Sequence, residues 1–80
     1  MNEIKIPVIS LEKTGKKLKE LREQHGLKIS QLQKILGFNF PTSIYKWEHG
    51  ETIPNIDNLL ILSVLYNMSI NDIIQTEEGE

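Results

Sequence analysis

Single glycines at positions 26, 37 and 50 cut the middle of this chain into short lengths, and each follows a run whose apolar residues recur at helical spacing. No other feature restricts the fold as much. A glycine just past such a run ends a helix, because it enters the left-handed backbone region without the penalty a Cβ brings. Before Gly26 the apolar stripe is Leu11, Leu18 and Leu21, and Ser10 or Thr14 can cap its start. Leu27 opens a second segment, in which Ile29, Leu32, Ile35 and Leu36 share a face up to Gly37. The turn Phe38 to Phe40 leads to Pro41, which suits the first position of a third helix, where its missing N–H is no loss. Ile44 and Trp47, three apart, are the inward pair of that helix, and Gly50 closes it.

Asn55 is a strong N-cap for a fourth helix with Ile56, Leu59, Leu62, Ser63 and Tyr66 on one face. Asn67 can adopt the left-handed conformation that stops it. Ser69, with Asp72 three residues on, forms a capping-box pattern before a short fifth helix carrying Ile70, Ile73 and Ile74. In residues 1–10, Ile4, Ile6 and Val8 alternate with polar residues around Pro7, the pattern of an extended N-terminal arm. The acidic residues 76–80 read as a flexible tail. The fold class expected is therefore all-α, a compact bundle of five short helices over residues 11–75.

Eighty residues suffice for one domain, near the lower limit for folding without staples. The chain has no cysteine, which removes disulfide frameworks and thiolate metal sites and points to a cytoplasmic protein. No apolar run approaches the ~20 residues that span a bilayer, so no membrane is expected as partner. His25 and His49 stand apart from each other and from any second set of ligands, so no metal is expected. Ser30, Ser43 and Ser63 lack the surroundings of a nucleophile, and glycines standing singly make no phosphate loop. The chain reads as a non-enzyme with no cofactor and no small-molecule substrate.

The net charge is −2, but it is unevenly spread. From Lys13 to Glu48 eight Lys and Arg face three acids, a net of +5; from His49 onward there are six acids and no Lys or Arg. Such asymmetry is the mark of a basic binding face with acidic residues kept elsewhere. The third helix turns Ile44 and Trp47 inward and offers Thr42, Ser43, Tyr45 and Lys46 on its other face. Hydroxyls, an aromatic ring and a cation on one exposed helix face point at a ligand.

Two short helices joined by a glycine-led turn have the plan of a helix-turn-helix unit. The strings LKELREQHGLKISQLQKILG, IYKWEHGETIP and NIDNLLILSVLYNMSINDII, covering about residues 11–75, carry a much fuller resemblance. They resemble the Xre/Cro-repressor family, with its lambda-repressor-like fold, and in particular short regulators of Gram-positive bacteria and their phages. The resemblance implies sequence-specific binding of double-stranded DNA, usually by a homodimer that represses transcription. It puts Pro41, Thr42, Tyr45 and Lys46 at base-reading positions, and Lys16, Lys17, Lys28, Ser43 and His49 near phosphates. Trp47 reads as core, and Glu48 as the partner of Arg22.

The chain departs from the family at three places. Lys28-Ile29 replaces the usual Ser or Thr followed by Gln, so a common phosphate clamp is lost and Lys28 offers a charge in its stead. Gln33 stands where a small Ala is usual, which implies slightly wider packing, and the turn is one residue longer than the commonest form. Ile61 and Val64 lie off the core face of the fourth helix and need a cover, either the chain's own arm (Ile4, Ile6, Val8) or another subunit. With Ile70, Ile73 and Ile74 they make up the expected dimer contact. The rival reading is a protein-interaction module on the same fold, such as an antitoxin-like or antirepressor partner.

Overall fold

The computed structural model describes residues 3–77. In chain order it contains β1 (Val8–Ile9), α1 (Leu11–Gln24), α2 (Ile29–Leu36), α3 (Thr42–Glu48), α4 (Ile56–Tyr66), α5 (Ile70–Ile73) and β2 (Thr76–Glu77). The helix ends follow the local chemistry. Ser10 Oγ accepts the Lys13 N–H at 3.1 Å and so caps α1, which leaves Thr14 inside the helix and buried. Asn55 Oδ1 accepts from Asn58 N–H at 3.0 Å, and Ser69 Oγ from Asp72 N–H at 3.1 Å. Gly37 and Asn67 end α2 and α4 with φ of 73° and 51°, the left-handed caps read from the sequence. Pro41 stands one place earlier than expected, as the cap residue before α3 rather than its first residue.

Leu18, Leu21, Leu32, Leu36, Ile44, Trp47, Leu59, Leu62, Tyr66 and Ile73 form one buried cluster. Three residues assigned to inward faces are instead exposed: Leu11, Ile35 and Ile56. Leu11 and Ile56 are the first residues of their helices, where the stripe runs past the elements that cover it. On α2 the buried row is only Leu32 and Leu36, and Ile35 lies off it.

The five-helix bundle gains one addition. Val8 pairs with Glu77 and Ile9 with Thr76 in a two-stranded antiparallel ribbon. Thr76 and Glu77, assigned to a free tail, are thus held against the arm. The ribbon grows from a clasp at α1: Thr14 Oγ1 accepts Gln75 N–H at 2.9 Å, and Ser10 N–H donates to Gln75 O at 2.8 Å. The other residues assigned to the tail, 78–80, and the first two of the arm lie outside the described residues. Among the described residues, no helix is long and apolar enough to cross a membrane.

Candidate nucleic-acid interface

The mounting of α3 begins on α1. A Cβ added to Gly15 would stand 2.6 Å from Trp47 O and 2.9 Å from Glu48 O, so α1 meets the end of α3 backbone to backbone. Beside this contact Arg22 grips Glu48 with two charge-assisted bonds, Nε at 2.7 Å and Nη2 at 2.9 Å from the two carboxylate oxygens. Its Nη1 donates to Leu27 O at 3.0 Å, so one guanidinium joins α1, the loop after it and α3. The hydrogen bond to Glu48 raises the Arg22 pKa further above its already high ordinary value. Glu48, the only acid on α3, is therefore neutralised within the protein, as its expected pairing required.

The turn between α2 and α3 is tied equally firmly. Gln33 Nε2 donates to Phe38 O at 3.2 Å, and Phe38 N–H to Gln33 O at 3.0 Å. The long side chain at position 33 thus bridges the long turn; the two departures from the family pattern belong together. The Phe38 ring meets Trp47 edge-on, with centroids 5.8 Å apart. Ile44 and Trp47 point inward and are buried, as read from their spacing.

What α3 leaves outside is Thr42, Ser43, Tyr45 and Lys46, all exposed, with Pro41 half-buried at the start and His49 exposed at the end. The Tyr45 and His49 rings lie 6.2 Å apart along this face. Lys28 is exposed at the N-cap of α2, where its backbone N–H donates to Gln31 Oε1 at 2.8 Å. The ion pairs among the described residues are Arg22–Glu48 and the exposed Lys16–Glu12 at 3.6 Å, so Lys28 and Lys46 keep their charge for other partners. Lys17 borders a surface depression with Met68, Asn71, Asp72 and Gln75, beside α5.

The residues assigned to a dimer contact also divide. Ile73 is fully buried in the chain's own core, and Ile70 and Ile74 pack against that core half-buried. Ile61 and Val64 are exposed and, with Ile35, Leu60 and Leu65, line an open apolar groove of about 470 Å³. The arm does not cover it: Ile4, Ile6 and Val8 are exposed, and β1 pairs with β2. Gly15 went unread in the sequence, and Phe40, read only as part of the turn before α3, is 74% exposed there.

Residues 15–79 match the family model described as helix-turn-helix domain. The chain belongs to that family. Its helix-turn-helix unit is α2, the tied turn and α3. Among curated relatives, an HTH-type transcriptional regulatory protein of Pyrococcus horikoshii is 40% identical over 53 residues, covering 66% of this chain and 16% of that protein. The HTH-type transcriptional activator BcrR of Enterococcus faecalis is 33% identical over 64 residues, 80% of this chain and 31% of BcrR. The helix-turn-helix chain thus spans less than a third of either relative. Among solved structures, the DNA-binding domain of BldD from S. venezulae superposes with a TM-score of 0.67 at 18% identity, over 82% of this chain and 97% of that one. Apo-HppE superposes with a TM-score of 0.70 at 24% identity, over 82% of this chain and 36% of its own. These two likenesses speak for the fold alone.

Proposed function

We propose that this domain is a sequence-specific transcriptional regulator that lays α3 in the DNA major groove and represses as a homodimer on a two-fold operator. One observation carries the reading. The inner face of α3 and its carboxylate are committed to the protein, while among the described residues the side chains of its outer face make no hydrogen bond or ion pair. In the groove, Lys46 can donate to the guanine acceptors O6 and N7, Thr42 can hydrogen-bond or touch a thymine methyl, and Tyr45 can do either, with Pro41 at their edge. Lys28, Ser43, His49 and Lys16 supply backbone contacts; Lys17, beside α5, is left out of the set. Repression asks nothing of the domain beyond occupying a promoter.

The homodimer reading rests on recognition length, since one short helix reads only a few base pairs and an operator needs two half-sites. The groove between α2 and α4 suits a second copy. Its lining is apolar and open, the character of a patch that marks an interaction site and of the apolar centre of an interface.

Selection from a random duplex pool, followed by binding at two salt concentrations, tests the reading. Log affinity for the selected site should fall steeply with log salt. Thr42→Ala and Tyr45→Ala should each cost on the order of 1–3 kcal/mol on that site and much less on random DNA. Lys28→Ala should weaken both alike and shallow the salt slope by about one unit. If Lys28→Ala alone relaxes specificity, α3 is not the recognition helix, and a complex containing a single chain would overturn the dimer. Absence of salt-dependent DNA affinity would assign the domain to protein-interaction modules on this fold, with the apolar groove as docking surface.

A further inference from the structure

We infer that Phe40 is a specificity-determining residue that contacts the C5-methyl group of a thymine beside the bases read by α3. The inference rests on α3 being the recognition helix. Two phenylalanines of the same turn have opposite fates. Phe38 is half-buried, its ring against Trp47 and both its backbone groups tied to Gln33. Phe40, two residues on, is 74% exposed and is not part of the core. Scattered surface apolar residues are common on proteins, but this one differs in position. It borders a shallow hollow together with Asn39, Thr42 and Ser43, so its ring lies among the first side chains of α3. The tie between Gln33 and Phe38 and the start of α3 hold the turn on both sides, so the ring's mounting is fixed before any ligand arrives.

The chemistry then narrows the target. A phenyl ring has no donor or acceptor for phosphates or for polar base edges. In the major groove the one apolar group on a base edge is the thymine methyl. Phenylalanine wedges that unstack base steps work from the minor groove, and a ring at the start of a helix laid in the major groove is on the wrong side for that. Burying the exposed ring against a methyl group removes apolar surface of both from water, so discrimination comes from area alone.

The experiment pairs a protein change with a DNA change. On the selected operator each thymine is replaced in turn by deoxyuridine, which removes only the methyl group, and binding of the parent and of Phe40→Ala is measured at fixed salt. One thymine per half-site should matter to the parent by about three- to tenfold, the scale of one methyl group leaving an apolar contact. Phe40→Ala should bind the unmodified operator weaker by at least that factor and be indifferent to deoxyuridine at that position. Its salt slope and melting temperature should match the parent's. Lys28→Ala, the phosphate-contact control, should bind more weakly but still sense the methyl. The inference is overturned if Phe40→Ala binds as tightly as the parent, if it keeps the parent's full response to every deoxyuridine, or if the operator has no thymine near the start of α3. A parent that binds no duplex overturns the reading of α3 as well, which separates the two failures.

Discussion

Tyr66 holds the buried side-chain atom that, among the described residues, finds no hydrogen-bond partner: its hydroxyl oxygen. Its ring is well placed, facing His25 at 4.9 Å while His25 Nδ1 meets Leu21 O at 2.8 Å. Burial pushes the phenol up to about 12, nearby Glu48 adds to the rise, and Arg22 opposes it. In the unfolded chain a tyrosine titrates near pH 10. Between about pH 10 and 12 the unfolded chain therefore releases a proton that the folded one keeps, and stability must fall as pH rises through that window. Tyr66→Phe removes both the unpaired hydroxyl and its titration. Its melting temperature at neutral pH should equal or exceed the parent's, and the alkaline decline should be shallower. A clear loss of stability at pH 7, read by thermal or urea denaturation, would show that the hydroxyl has a partner in solution.

Gly15 poses the corresponding question for a whole helix. On propensity alone, Gly15→Ala in the middle of α1 should stabilise by about 1 kcal/mol. The added methyl would, however, stand 2.6 Å from Trp47 O, 2.9 Å from Glu48 O and 3.1 Å from Gly50 N, and all three are backbone atoms that no rotamer change can move. Sterics should win, since overpacking typically costs about 1–3 kcal/mol. The expected result is a lower urea midpoint and a displaced α3, with weakened DNA binding in the fraction still folded. A variant more stable than the parent would mean that α1 and α3 lie further apart. This contact also shows what the sequence could and could not reveal. Ser10, Asn55 and Ser69 were legible as caps because each acts on an N–H three residues away. Leu11, Ile35 and Ile56 were misassigned because periodicity says which residues share a stripe, not where the covering element stops. Gly15 left no local signal, since its partner atoms are far along the chain. The outer face of α3 was legible because Ile44 and Trp47 fixed the inner one.

Across the whole molecule the same division applies to the two ends of the domain. The ribbon of Val8–Ile9 with Thr76–Glu77 has only two residues per strand, too short for a period to show, and the arm and the acidic tail were read as separate loose segments. At the root of the ribbon stands a clasp centred on one buried hydroxyl. Thr14 is 1% exposed, and its Oγ1 accepts Gln75 N–H at 2.9 Å and donates to Gln75 O at 3.3 Å. Ser10, which caps α1, sends its own N–H to the same Gln75 carbonyl. The clasp therefore steadies the first turns of α1, where Gly15 meets α3. Thr14→Val keeps the size of the side chain and removes the hydroxyl, leaving the part-buried Gln75 N–H unpaired. Such a group costs about 1–3 kcal/mol, and in a domain this small each kcal/mol lowers the melting temperature by about 4–8 °C. Hydrogen exchange should report the cause: the Gln75 amide, protected in the parent, should exchange much faster in Thr14→Val, while amides in the middle of α4 should speed up by no more than the loss of overall stability dictates. Because Thr14 is not on the outer face of α3, DNA affinity of the folded protein should change by less than about twofold at temperatures well below melting. Fast exchange of the Gln75 amide already in the parent would show the clasp open in solution, and the arm and tail would then be independent of α1 after all.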